Sequence, residues 1–336
     1  MRLHERVRLH ILTGFLGSGK STLLRRHLHD NRDASKVVVL INEFGAVAID
    51  HTLVRAVSKH AGALAGGCAC CTGDKALRTT LIEVLTQMER GELPGVRDIV
   101  LETSGIADPS RIIGTIAGEM HLAEYIQVAN CVTTVEVGTD TAFVQRFPEL
   151  QNQIGCASRI VLTKGDLQPK SAMASTVALL QAMNPLAEIV LSDQLGASGH
   201  GLFGPSAGPR QASPIETSHH SRFSTFQIEI DAGLEWPSFS VWLTALMHLY
   251  GDVILRFKGV VPLRSPKQAL VLQSVRHRVS EPEHLDFAAE AAQTAYGLVF
   301  ICAGDYEAPI RASLTKFRAL SQRFRMTDEI RHETYS

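Results

Sequence analysis

Residues 14–22 read Gly-Phe-Leu-Gly-Ser-Gly-Lys-Ser-Thr, and the span from Gly14 to Ser21 fits G-x-x-x-x-G-K-[ST] without a mismatch. The run before it, Val7 to Leu12, has the texture of a strand, and the run after it, Leu23 to Leu28, that of a helix. Strand, glycine-rich turn and helix in that order are the context in which this motif is specific. They restrict the chain to an α/β fold: a P-loop NTPase with a doubly wound, mostly parallel sheet. Gly14, Gly17 and Gly19 let backbone N–H groups converge on phosphate oxygens without a side chain in the way. Ser18, Lys20, Ser21 and Thr22 complete the candidate cradle. Lys20 is placed to reach the β- and γ-phosphates and Ser21 to ligate Mg²⁺, while the helix N-terminus adds partial positive charge.

The rest of the chain follows the same alternation. Val37 to Ile41, Ile99 to Leu101, Ile160 to Leu162 and Ile189 to Leu191 are continuous apolar runs rich in β-branched residues, as buried parallel strands are. A further strand is expected from Ile126 to Val137. Helical spacing covers 74–90, with Leu77, Leu81, Val84, Leu85 and Met88 on one face, then 109–124, 140–156 apart from Pro148, and 171–183. Residues 1–192 thus form the P-loop domain. Residues 193–221 lose all periodicity and are dominated by Gly, Ser, Pro, Ala and His, which predicts a linker. Residues 222–336 form a second, smaller α+β domain, with strands near 226–230, 253–261, 269–279 and 298–303 and helices near 236–250 and 308–325.

The bulk numbers exclude several classes. The 336 residues suit two domains of ordinary size. A net charge of -1 provides no broad basic face, so no nucleic-acid partner is expected. No apolar run approaches the roughly 20 residues that cross a bilayer, so no membrane partner is expected. The first ten residues alternate charged and apolar types, unlike a signal peptide, and a cytoplasmic location follows. Six cysteines are too few for a disulfide scaffold in a chain this long.

Four further segments carry chemistry. Glu102 ends the strand Ile99-Val100-Leu101, where an acid in a P-loop protein orients Mg²⁺; Gly105 can offer its N–H to a γ-phosphate. Asp98 precedes the same strand and is expected at its far end. Thr163-Lys164-Gly165-Asp166 follows a strand where GTPases carry N-K-x-D. Asp166 there would accept hydrogen bonds from guanine, Lys164 would pack along the base, and Thr163 stands where asparagine is usual. Cys68, Cys70 and Cys71 lie within one short stretch behind two glycines. Thiolates suit Zn²⁺, Cu⁺ or iron, with Co²⁺ also admissible. Three sulfurs leave a tetrahedral ion one ligand short, whereas a structural zinc site is closed by four; an ion meant to be handed on is the reading preferred over packed cysteines. Glu43, in Asn42-Glu43-Phe44-Gly45, is an acid after a buried strand that could touch Mg²⁺, the cysteine-bound metal or neither; it joins the candidate set as a transition-metal ligand. His200, His219 and His220 lie in or beside the linker, and solvated histidines are the preferred reading. Cys131, Cys156 and Cys302 have apolar surroundings and are expected in the core.

Taken together, these motifs resemble the CobW-like metallochaperone GTPases. The family's G-F-L-G-[SA]-G-K-[ST]-T, N-E-[FY]-G, G-C-x-C-C, E-[TS]-[ST]-G and [NT]-K-x-D appear in order at Gly14–Thr22, Asn42–Gly45, Gly67–Cys71, Glu102–Gly105 and Thr163–Asp166. Leu255-Arg256-Phe257-Lys258-Gly259 resembles a segment of the family's second domain. The resemblance implies binding and slow hydrolysis of GTP to GDP, with Lys20, Glu102 and Gly105 at the chemistry and Mg²⁺ at Ser21 and Glu102. It implies Zn²⁺ or Co²⁺ at Cys68, Cys70 and Cys71, delivered to a client metalloenzyme, with a homodimer as a candidate assembly. Glu136 departs from the family's aspartate, and Gly165 from a larger residue. No histidine or glutamine stands out as the residue that positions water. Two other classes remain open: a zinc-homeostasis regulator with GTPase activity, and a P-loop ATPase or kinase with a structural zinc.

Overall fold

A computed structural model describes residues 6–30, 37–41, 62–63, 73–195, 201–204, 218–220, 223–230, 235–262, 269–279, 282–285 and 296–319. The chain divides into two compact units, Met1–Gly208 and Pro209–Ser336.

The first unit is built on a parallel sheet of seven strands: β1 (Val7–Gly14), β2 (Val37–Ile41), β3 (Gly62–Ala63), β4 (Asp98–Glu102), β5 (Ile126–Glu136), β6 (Arg159–Thr163) and β7 (Glu188–Leu191). Their spatial order is β3-β2-β4-β1-β5-β6-β7, every pairing parallel. Strands covered by helices on both faces must be apolar throughout, which is why Val38–Leu40, Ile99–Leu101 and Ile160–Leu162 are all buried. On one face α1 (Lys20–Asp30) sets Leu23, Leu24 and Leu28 against Leu12, Val39, Val100, Val132 and Val161. A second helix, α2 (Gly73–Glu89), buries Leu77, Leu81, Val84, Leu85 and Met88, the face its spacing predicts. Truncating a fully buried leucine such as Leu81 to alanine costs about 2–5 kcal/mol.

Two expected helices are each a pair. Residues 109–124 break at Glu119, whose extended backbone separates α3 (Pro109–Gly118) from α4 (Met120–Tyr125). Residues 140–156 break at Phe147, between α5 (Thr141–Arg146) and α6 (Pro148–Cys156). Pro148 opens α6 at the position where its missing N–H costs nothing, and Asp140 caps α5 through Phe143 N. The next helix, α7 (Lys170–Met183), precedes β7.

Part of the stretch read as linker is structured. Leu202 is buried in the α1 core, and Arg159 donates to Gly201 O at 2.8 Å and Leu202 O at 2.9 Å. Residues Ser218–His220 form a strand, β8, paired antiparallel with β9 (Phe223–Glu229). Local composition hid both: residues 201–204 are ordered by the sequence-distant Arg159, and Ser218–His220 by the hairpin they form with β9.

The second unit is α+β. Beyond β8 and β9 it holds α8 (Trp236–Tyr250), β10 (Ile254–Pro262), β11 (Ala269–Val275), β12 (Arg278–Val279), β13 (Glu283–Leu285), β14 (Gly297–Ala303) and a helix, α9, over 307–319. The sheet is antiparallel, in the order β12-β11-β10-β14-β9-β8, with β13 on β11. Phe226, Phe257 and Phe300 pack under Trp242, Leu243, Leu246, Ile310 and Leu314. Trp242 Nε1 donates to Ser313 Oγ at 3.1 Å, tying α8 to α9 while satisfying a donor that burial would otherwise orphan.

Candidate functional site

β1 is the strand at which the connections change direction: its neighbours are β4 on one side and β5 on the other. In an open parallel sheet the crevice beyond the carboxyl ends at such a point is where ligands bind. Gly14 ends β1 there, and a Cβ on it would collide with Thr134 Oγ1, so only glycine fits. Lys20 opens α1, and its Nζ donates to Gly14 O at 2.8 Å and Phe15 O at 3.1 Å, inside the loop. Ser18 Oγ lies 2.7 Å from Phe15 O and 2.6 Å from Thr134 Oγ1. Phe15 itself is pinned by Phe147, at 4.6 Å between ring centroids, and by Phe143 edge-on at 5.5 Å. The loop is therefore held from the β5–α6 segment as well as by its own turn.

Glu102 ends β4 opposite Leu12 of β1 and Ile41 of β2 and is 1% exposed. Ser21 Oγ donates to Glu102 Oε1 at 2.5 Å. A hydroxyl and a carboxylate converging beside the phosphate loop are hard oxygen donors, and this pair fits Mg²⁺, which is held by one or two such groups plus phosphate oxygens and water. Asp98 is at the other end of the strand, as its position in the sequence predicts. There it accepts from Arg8 Nε at 2.7 Å and lies 3.0 Å from His10 Nε2. Burial pushes the Asp98 carboxyl up, but the hydrogen bonds from His10 and Arg8 and the Arg8 charge outweigh it and hold it below the ordinary aspartate value.

Thr163 is buried at the end of β6. Its Oγ1 lies 2.9 Å from Ser18 O, so the loop after β6 is bonded to the P-loop through the residue that replaces asparagine. The next residue, Lys164, takes a left-handed backbone (φ 57°), and its Nζ pairs with Glu136 Oε2 at 2.7 Å. Non-glycine residues seldom adopt that conformation without surrounding constraints, and they concentrate at ligand sites. Asp166 is exposed on the 3₁₀ turn Gly165–Leu167. The structure thus gathers Gly14, Ser18, Lys20, Ser21, Glu102, Gly105 and Thr163 at one end of the sheet.

Glu43, Cys68, Cys70, Cys71 and His200 lie outside the described residues, and only the backbone of His219 and His220 is described, in β8. Cys131, Cys156 and Cys302 are buried, and burial pushes the Cys302 thiol up to about 12, which makes it inert at neutral pH. Among the described residues no helix is long and apolar enough to cross a membrane. Sequence reasoning missed Thr134 and the Phe15–Phe143–Phe147 cluster. The signal for Thr134 was present: Thr133 and Thr134 are hydroxyl residues set between the apolar Val132 and Val135 of a central strand, and such buried groups have hydrogen-bond partners.

A glycine-rich loop at the switch point of a parallel sheet, with an inward lysine and an acid one strand away, defines a P-loop nucleotide-binding protein. More narrowly, residues 8–191 match the CobW/HypB/UreG nucleotide-binding domain and residues 223–318 match the cobalamin synthesis protein cobW C-terminal domain; the chain belongs to this family. Zinc chaperone YjiA of Escherichia coli is 27% identical over 318 residues, covering 92% of this chain and 98% of that protein. Zinc chaperone CobW of a Sinorhizobium species is 26% identical over 347 residues, covering 91% and 95%. The crystal structure of Zn(II)-bound YjiA GTPase from E. coli shares the fold, with a TM-score of 0.66, 22% identity and coverage of 93% of this chain and 99% of that one.

Proposed function

We propose that this chain is a GTP-binding, slowly hydrolysing metallochaperone that carries Zn²⁺, or Co²⁺, to a client metalloprotein. In this reading residues 1–192 are the GTPase domain and 222–336 the CobW-type C-terminal domain. Gly14, Gly17, Ser18, Gly19, Lys20, Ser21 and Thr22 bind the phosphates, Thr163, Lys164 and Asp166 face the guanine side, and Lys20, Glu102 and Gly105 serve the hydrolysis. Ser21 and Glu102 would hold Mg²⁺, which when bound neutralises charge on the phosphate oxygens. The observation that carries the nucleotide half is the 2.5 Å Ser21–Glu102 contact beside the inward Lys20. The Lys164–Glu136 pair supports the guanine side by fixing the lysine stem next to Asp166.

The cargo half rests on Cys68, Cys70 and Cys71, with Glu43, and on near full-length similarity to proteins named zinc chaperones. Glu43 follows β2, the strand that pairs with the Glu102 strand, and the three cysteines follow β3, which pairs with β2. A segment attached there can rearrange with the γ-phosphate, as GTPase switch loops do. Nucleotide and cargo would then bias each other's affinity. Metal analysis of the protein loaded with GTP analogue, with GDP or with neither, beside a variant lacking all three motif cysteines, tests this reading. Stoichiometric zinc that disappears in the variant is expected; zinc retained without the cysteines would refute the cargo site.

A further inference from the structure

The loop after the acid strand, residues 103–108, is gripped from α6 by two neighbouring amides. Gln153 is fully buried, and its Nε2 donates to Gly105 O at 3.1 Å and Ala107 O at 3.0 Å. Asn152 Nδ2 donates to Asp108 Oδ2 at 2.9 Å, and Asp108 Oδ1 accepts from Ser110 N at the start of α3. The helix is in turn tied to the central sheet, because Thr133 Oγ1 donates to Gln153 O at 2.7 Å. The opposite side of the loop abuts the phosphate loop: a Cβ on Gly105 would lie 2.6 Å from Leu16 Cδ2 and 2.7 Å from Leu16 N. Ala107 N also bonds back to Ser104 O at 3.1 Å, closing the turn. Gly105 is therefore held between the P-loop on one side and Gln153 on the other.

Gln153 carries a cost that a purely packing residue would not. Its Oε1 is buried without a hydrogen-bond partner. A buried acceptor left unsatisfied costs about 1–3 kcal/mol, and an apolar side chain of the same length would avoid it. What the amide supplies in return is its two donors, and both go to the turn that contains Gly105.

We propose that Gln153 is a positioning residue for hydrolysis: it touches no nucleotide, but it fixes the Gly105–Ala107 turn so that the Gly105 N–H meets the γ-phosphate. The inference rests on the reading of this site as a GTP-hydrolysing P-loop.

The test uses the full chain and two substitutions. Gln153→Met keeps the length and removes both donors; Gln153→Glu keeps an acceptor and sets negative charge against two carbonyls. In both, kcat for GTP should fall at least about tenfold, because a misplaced reacting group costs up to roughly 100-fold. GDP affinity should stay within about twofold, since the P-loop contacts are untouched, and the ratio of GTP-analogue to GDP affinity should drop. The Met variant sheds the unsatisfied Oε1 but takes the donor from the Gly105 and Ala107 carbonyls, so it should still fold and melt somewhat lower than wild type. Unchanged kcat in a folded Met variant would overturn the proposal. So would a parallel loss of GDP affinity, or failure of both variants to fold, either of which would make Gln153 a plain core residue. Absence of GTP hydrolysis in the wild type would instead strike the functional reading, and the analogue-to-GDP affinity ratio would still report on Gln153.

Discussion

The two ends of the parallel sheet both collect polar side chains, yet they use them differently. At the amino end the charges neutralise one another: Arg8 with Asp98, and Arg159 with Glu188 at 2.8 Å across β6 and β7. Arg159 also donates to the carbonyls of Gly201 and Leu202, so that end fastens the chain leaving the domain. At the carboxyl end, Lys20 is held by loop carbonyls, Glu102 by the Ser21 hydroxyl, and Ser18 by Thr134 and Phe15. Hydroxyl and carbonyl partners of this kind can be exchanged for phosphate oxygens at small cost, and the Lys164–Glu136 pair at the same end is half-exposed and weak, whereas separating the buried Arg159–Glu188 pair is expensive. One end is built to stay and the other to trade contacts.

Substitutions at the two ends should separate stability from binding. The largest expected effect is Arg159→Met, which takes the buried guanidinium away from Glu188. We expect about 3–5 kcal/mol lost, or roughly 10 °C in melting temperature, with nucleotide affinity of the folded fraction unchanged. A matching fall in affinity would break the comparison. Lys20→Ala should do the reverse, costing about 3 kcal/mol of GTP binding, on the order of 100-fold, while calorimetry shows stability nearly intact. Asp166→Ala should lower the preference for GTP over ATP by about tenfold or more in competition binding, through loss of charged hydrogen bonds to the base.

The smallest effect concerns Asp98→Asn. The folded carboxyl binds its proton less readily than the unfolded one. Its contribution is therefore complete above the unfolded aspartate value near ~3.9 and is lost as pH falls through the lower folded value. The variant should be less stable than wild type by about 1 kcal/mol at neutral pH, and the gap should close in acid. A gap independent of pH would show that the Arg8–Asp98–His10 cluster does not act through charge.

These ends also mark what was readable in the chain itself. The P-loop, the acid at Glu102 and the apolar strands were legible because each is a local pattern with its own spacing. The far-end placement of Asp98 followed from its position four residues earlier in the strand. The break at Glu119 was not legible, since the apolar spacing continues across it, whereas Pro148 marked the one at Phe147. The docking of residues 201–204 was hidden too, because its partners, Arg159 and Asn130, are distant in sequence and the segment itself reads as loop. Gln153 escaped notice for the same reason: a single glutamine on a helix gives no sign that it reaches the loop after β4.

The claim on which the account depends is that nucleotide state sets how tightly the cargo ion is held. Chelator competition gives the zinc affinity of the full chain saturated first with a non-hydrolysable GTP analogue and then with GDP. We expect the two affinities to differ by at least about fivefold, the lower bound of ordinary coupling between sites, and to converge when Cys68, Cys70 and Cys71 are replaced by alanine. Equal zinc affinities in the two nucleotide states of the unaltered chain would contradict it.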